Sequence, residues 1–304
     1  MTASATEVLQ KEKTVCLKNI LLATDFSSVS EKATGYAIGI ARRHHSQLHV
    51  VHVVPQLSDH RQDENSRRQM DFLSNRSELQ EISHQLTLRR GPVCSVLSEV
   101  IRRQNIDLLV VGTHGRGGMK KLVLGSVAEE MVRLASCPVV TVGPGTAGAL
   151  PEGGEFRPIV FATDFGAASV NALQYAVLFA KQSRAKLILL HVMPSAPLVS
   201  SEAGWNLSDA TSVMEWRARQ VSATEKKLEK LLPPDTVAGY RVEYVVIFDL
   251  LFEGILRVVA ERHPDLIVMG ANPTLGRKVF AHIPGTVVHQ IMCHAACPVL
   301  TVRT

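Results

Sequence analysis

The stretch Gly112-Thr-His-Gly115-Arg-Gly-Gly-Met-Lys-Lys-Leu-Val-Leu-Gly125-Ser126 carries the strongest chemical signal in the chain. Glycine has no Cβ, so backbone at Gly112 and Gly115 can approach a ligand closely and adopt positive φ. Gly125 and Ser126 stand where a helix would open, and the free N–H groups and dipole of a helix start favour an anion. A phosphate chain held between a strand end and that helix start is the natural occupant. The same residues also fit an ordinary loop, with Ser126-Val-Ala-Glu129 as a capping box. The Ser126 hydroxyl can cap the helix or hold a phosphate, but not both at once. Arg116, Lys120 and Lys121 flank the glycines and either screen phosphate charge or lie solvated.

Such a loop needs a parallel sheet beneath it. The apolar run at 20–23 suits a buried strand, and Ser28-Val-Ser-Glu31 then reads as a capping box opening a helix. A second strand at 48–54 ends at Pro55, and the polar segment 56–64 reads as mobile. The pattern continues with a helix at 65–82, a strand near 86–88, a helix at 95–104, a strand at 108–111, a helix at 127–135 and a strand at 139–142. Strands alternating with helices predict a doubly wound parallel sheet. In such sheets ligands sit beyond the carboxyl ends of the strands.

The plan then repeats. Residues 20–55 align without a gap on residues 159–194, sharing Ala-Thr-Asp-Phe near the start and His-Val at the end. IDLLVVG at 106–112 recurs as PDLIVMG at 264–270, and ASCPVVTV at 135–142 as AACPVLTV at 295–302. A period of half the chain is the size of a domain, not of a solenoid repeat. The expected domains are 15–143 and 156–304, joined by a glycine- and proline-rich linker at 144–155. The last strands, 139–142 and 299–302, are apolar edges that would pack against each other as a pseudo-dimer.

At 304 residues the chain is long enough for two cores, and 46% hydrophobic with 20% charged residues is ordinary for a soluble globular protein. A net charge of +5 without long like-charged runs gives no footprint for nucleic acid. Five cysteines without framework spacing favour a reducing cytoplasm. No apolar run has the length of a membrane span or a signal peptide. The patterns G-x-G-x-x-G after the first strand, Walker A, G-x-S-x-G and H-E-x-x-H are all missing. His289, Cys293 and Cys297, spaced i, i+4, i+8, could form a soft-metal face with His282, but Cys297 matches Cys137 and reads as packing. No metal site of protein side chains is therefore expected. His52 recurs as His191, which suggests a structural hydrogen bond.

The spacing Gly112-x2-Gly115-x9-Gly125-Ser126, with Ala23-Thr24-Asp25-Phe26 and His52-Val53, resembles the universal stress protein family over nearly the whole chain, as two tandem domains. The resemblance implies an α/β fold of two Rossmann-like (adenine nucleotide alpha hydrolase-like) domains, each a five-stranded parallel sheet flanked by helices. The ATP-binding branch of that family carries this glycine pattern. By resemblance, Gly112, Gly115, Gly125 and Ser126 would hold ribose and phosphates, Thr24 and Asp25 would lie at the adenosine, and the Val53 backbone would hydrogen-bond adenine. His114, Arg116 and Val127 complete the set, with Mg²⁺ on the phosphates. Asp25 could equally tie down neighbouring loop amides.

The second copy keeps Asp164, Val192, Gly270, Gly285 and Thr286, but Pro273 stands where Gly115 stands and the loop is two residues longer, with Gly276 in a shifted register. Weak or absent ATP binding is expected there. The implied function is a cytoplasmic ATP-binding, nucleotide-dependent sensor or interaction module of a stress response, with an unknown protein partner and a possible homodimer. The alternatives are a slow ATPase or phosphotransfer enzyme using the same pocket, with Ser126 or His114 nearby, and a nucleotide-free scaffold.

Overall fold

The computed structural model describes residues 15–57, 59–115, 124–148, 150, 155–195, 210–233, 236–237, 239–271 and 286–303. In the first half these form β1 (Asn19–Ala23), α1 (Ser28–His44), β2 (Gln47–Val54), α2 (His60–Ser74), α3 (Ser77–Gln80), β3 (His84–Arg90), α4 (Val93–Arg103), β4 (Leu108–Gly112), α5 (Ser126–Leu134) and β5 (Val139–Val142). In the second half they form β6 (Ile159–Ala162), α6 (Ala167–Ser183), β7 (Lys186–Pro194), α7 (Ala210–Glu229), β8 (Arg241–Asp249), α8 (Leu251–Arg262), β9 (Leu266–Ala271), α9 (Val287–His294) and β10 (Val299–Arg303).

All ten strands join one sheet in the order β3-β2-β1-β4-β5-β10-β9-β6-β7-β8. Ile20, Leu21 and Leu22 are each 0% exposed, which explains why β1 reads as a continuous apolar run without alternation. One face of the sheet is covered by α1, α2, α3, α6 and α7, and the other by α4, α5, α8 and α9. Pairing within each half is parallel, and the two halves meet antiparallel. At that seam Val299 pairs with Thr141, Leu300 with Val140 and Thr301 with Val139. The Thr141 hydroxyl donates to Val299 O at 3.2 Å, and the Thr301 hydroxyl donates to Val139 O at 3.3 Å. The expected edge strands thus do more than pack: they hydrogen-bond into a single sheet.

Three local expectations are corrected. The N-cap of α1 is Ser27, not Ser28: its hydroxyl accepts from Ser30 N–H, while Glu31 pairs with Arg76. The polar segment 56–64 contains a helix start, because the Asp59 carboxylate accepts from Gln62 N–H at 2.8 Å and opens α2 at His60. The helix expected at 65–82 breaks after Ser74. There the Ser74 hydroxyl, the Asn75 side chain and the Asn75 N–H all converge on Asp71 O, and that competition ends the helix.

The chain leaving β5 is held by α1: Lys32 Nζ donates to Pro144 O and to Thr146 O, both at 2.7 Å. Leu150 then lies over Gly39, where even a methyl group would stand 2.9 Å from its side chain.

Candidate functional site

The strand order reverses between β1 and β4, so the loops after these two strands form a crevice at their carboxyl ends. The two loops touch. The Ser27 hydroxyl donates to His114 O at 3.4 Å, and a Cβ on Gly115 would stand 2.8 Å from Asp25 Oδ2. Asp25 Oδ1 accepts from Ser27 N–H at 3.0 Å. Between them Phe26 adopts φ 59°, a conformation few non-glycine residues take, with its ring 4.6 Å from that of His52. His52 Nδ1–H donates to Thr24 O at 2.7 Å, which leaves Nε2 to accept from the Ser66 hydroxyl at 3.2 Å. The Thr24 hydroxyl accepts from Phe26 N–H at 3.1 Å. The Asp25 loop is therefore fixed from below by three residues.

On the β4 side, Gly125 N–H donates to Thr113 O at 2.7 Å, and a Cβ on Gly125 would lie 3.0 Å from that oxygen. The start of α5 is thereby pinned to the end of β4. Gly125, not Ser126, is the cap residue of α5. Ser126 is the first helical residue and is exposed, so the capping-box reading of Ser126 is corrected and its hydroxyl is left for other work. Val127 follows, half-buried. Gly112 packs against α1, where a Cβ would meet Ser30 N and Val29 Cγ1 at 3.2 Å. Val53 lies on the part of β2 that outruns β1: pairing with β1 stops at Val51, while pairing with β3 continues to Val54. Its backbone edge on the β1 side thus faces the crevice. Arg116, Lys120 and Lys121 fall outside the described residues.

His114 stands out electrostatically. The Thr113 hydroxyl lies 2.9 Å from its Nδ1, its Nε2 is buried without a hydrogen-bond partner among the described residues, and burial holds its pKa below the usual histidine value. A neutral ring accepting from Thr113 at Nδ1 carries its proton on Nε2, a donor lacking an acceptor.

The second copy keeps part of this arrangement and departs from it elsewhere. Gly166 replaces Ser27 as the helix cap, and Asp164 turns inward: Oδ1 accepts from Gly166 N–H at 2.8 Å and from the Ser169 hydroxyl at 2.6 Å. A Cβ on Gly270 would meet Ser169 N at 2.4 Å, so α6 presses on the end of β9 more closely than α1 does on Gly112. Thr286 caps α9 by accepting from His289 N–H at 3.2 Å. Val192 is buried at the matching place on β7. Gly285, Pro273 and Gly276 lie outside the described residues. His191 Nδ1–H donates to Thr163 O at 2.8 Å, matching His52 as expected.

The sequence model of the Universal stress protein family matches residues 17–143 and again residues 155–303. The chain belongs to the universal stress protein family. Over 138 residues, 41% of this chain and 81% of the relative, it is 27% identical to a universal stress protein of Methanocaldococcus jannaschii. It is 28% identical over 142 residues to a putative universal stress protein of Staphylococcus aureus strain USA300, covering 42% of this chain and 85% of the relative. A solved universal stress protein from Archaeoglobus fulgidus superposes with a TM-score of 0.68 at 17% identity, over 94% of this chain and 98% of its own. A putative universal stress protein from Pseudomonas aeruginosa UCBPP-PA14 gives 0.60 at 16% identity, over 95% of this chain and 94% of its own. These two establish a shared two-repeat fold and nothing finer.

Within this universal stress protein Ser27, Thr113 and Phe26 also shape the crevice; of these the sequence reading named only Phe26, within the Ala-Thr-Asp-Phe motif. Phe26 had a signal, since it is repeated as Phe165, whose φ is 61°. His289 and Cys293 approach to 4.0 Å, but α9 ends at His294, so Cys297 does not continue their face; His282 lies outside the described residues. Among the described residues no group of three or more His, Cys, Asp or Glu is placed to hold a metal ion. Nor is any helix among them long and apolar enough to cross a membrane.

Proposed function

We propose that the N-terminal repeat binds ATP and that the protein acts as a nucleotide-dependent sensor or interaction module. The observation that supports this reading is the close approach of the two loops at the point where the strand order reverses: a Cβ on Gly115 would stand 2.8 Å from Asp25 Oδ2. Asp25 would take ribose hydroxyls, as an acidic residue at a strand's carboxyl end does. The backbone of Val53 would meet adenine. Gly112, Gly115, Gly125, Ser126 and Val127 would line the phosphates with backbone N–H groups and the exposed Ser126 hydroxyl. The Nε2–H of His114 needs an anionic oxygen, and a phosphate supplies one. Mg²⁺ would accompany the phosphates.

The second repeat would serve as a packing partner with weak or no nucleotide affinity. Titration calorimetry with ATP on the wild type and on Gly115→Pro tests the reading. Binding at one site per chain that is lost in the variant is expected. Equal heats in both, or no binding at saturating ATP, would overturn it.

A further inference from the structure

The sheet ends in two unlike edges, β3 and β8. β3 finishes in Arg89 and Arg90, the charged ending that keeps an edge strand from pairing with another chain. β8 reads Arg-Val-Glu-Tyr-Val-Val-Ile-Phe-Asp, with no lysine or proline and no fully buried residue. Thr163 N–H donates to Leu190 O, so the alternate residues Leu187, Leu189, His191 and Met193 of β7 face β8. Their register partners are Val242, Tyr244, Val246 and Phe248. In a parallel ladder the bonds go to the residues flanking those partners, so the N–H and C=O groups of these four point outward. Among the described residues nothing bonds them.

We propose that β8 pairs antiparallel with β8 of a second copy of this chain, about a twofold axis through Val245. A twofold pairs residue i with j and j with i, so its centre fixes the register. A ladder closes only where outward-facing residues stand opposite one another, which requires the centre to fall on a residue and not between two. Centring on Val245 uses the whole strand. It sets Tyr244 opposite Val246 and Val242 opposite Phe248, each an aromatic ring against a valine, a pairing that stabilises antiparallel strands. It also sets Arg241 opposite Asp249 at both ends of the ladder. Moving the centre to Val246 would oppose two carboxylates, Glu243 and Asp249. Moving it to Tyr244 would leave Asp249 opposite Gly239, beyond the strand.

The side chains of β8 are already sorted for this register. Val242, Tyr244 and Val246 lie on the α7 face, where the Phe248 ring stands 5.9 Å from that of Trp216 and 5.2 Å from the Arg217 guanidinium. Val245 and Ile247 lie on the α8 face. There Glu243, which would meet Ile247, has its charge answered within the chain by Lys186 at 2.5 Å and Arg262 at 2.8 Å. Asp249 meets Arg257 at 2.9 Å and would take the exposed Arg241 of the second copy as a further cation. The chain makes a join of this kind internally, since β5 and β10 meet antiparallel at the seam.

Analytical ultracentrifugation of the full chain over a range of concentrations, with oxidative cross-linking of cysteine variants, tests this. The wild type should sediment as a concentration-dependent dimer. Val246→Pro removes an outward N–H from each chain and leaves the bonds to β7 in place, so dimerisation should weaken by about tenfold or more. Partners that exchange no hydrogen bonds stand about 4.5 Å apart between Cα atoms, within disulfide reach. With the exposed Cys16 replaced by serine, Val245→Cys should therefore link two chains under mild oxidation. Ile247→Cys, which would face Glu243, should not. A chain that stays monomeric at every concentration would overturn the proposal. So would a dimer that Val246→Pro leaves as tight as before, or one that Val245→Cys does not link.

Discussion

Asp25 and Gly115 compete for one volume: a single added carbon on Gly115 would stand 2.8 Å from Asp25 Oδ2. The carboxylate and the glycine loop are thereby matched across the crevice, although the sequence separates them by ninety residues. Gly115→Ala should push the Asp25 side chain aside and weaken ATP binding by about tenfold, roughly 1.4 kcal/mol. Gly115 is exposed, so the melting temperature should hardly move. Calorimetry and thermal melts on the same sample check both halves of this expectation.

Gly270 behaves oppositely. A Cβ there would meet backbone, Ser169 N at 2.4 Å and Ala168 C at 2.6 Å, and no side-chain rotation relieves that. Gly270→Ala should destabilise by about 1–3 kcal/mol, as overpacking does. ATP affinity should be unchanged. A variant that melts like the wild type would remove the tight α6–β9 contact from the account.

Lys32 holds two carbonyls of the linker with one ammonium group. Lys32→Met keeps the stem and removes the charge-assisted bonds, at a cost of about 2 kcal/mol. The expected signature is a lower denaturation midpoint together with faster proteolytic cleavage at 143–150. Unaltered cleavage would show that the linker is held by other contacts.

Acid should weaken the fold through its histidines. Burial holds His44, His49 and His114 below the ordinary value, and for His44 the pKa falls from 6.5 to about 4. The unfolded chain takes up these protons near pH 6.5, while the folded chain resists them. The stability they carry is thus whole above pH 6.5 and is lost as pH falls through each folded-state value, which for His44 is about 4. For His44 the loss is at most about 3 kcal/mol, reduced by the partial solvation of the ring. His44 packs edge-on to Phe179 and meets Gln182 Nε2 at 3.3 Å, so His44→Phe keeps the shape without the proton site. Melts between pH 7 and pH 4.5 should fall less steeply for the variant; parallel curves would refute the assignment.

Much of this was legible in the chain. The repeated Ala-Thr-Asp-Phe run and the strand-glycine-helix loop fixed the fold class, because both are local patterns with one period each. What escaped reading depended on long-range partners. Ser28 has Glu31 three positions on, but the capping box this suggests does not form because Glu31 pairs with Arg76, which stands between α2 and α3. Asp59 was hidden in a polar stretch whose helix is held by Arg90 reaching across from β3 to Asp63. Asp25 and Asp164 both accept from the N–H two residues on. What differs is that the Ser169 hydroxyl donates to Asp164 while its counterpart Ser30 turns to Ser27 O and the Thr24 hydroxyl, a difference that two identical serines hide.

The seam through Val140 and Leu300, both 0% exposed, joins two halves of one polypeptide. Association of the halves is therefore governed by effective concentration, fixed by the tether, and dilution cannot separate them as it would two loose subunits. Selection on ligand affinity is then relaxed for one duplicate so long as it keeps its half of the ladder. The bond from the Ser169 hydroxyl to Asp164 is one departure of that kind.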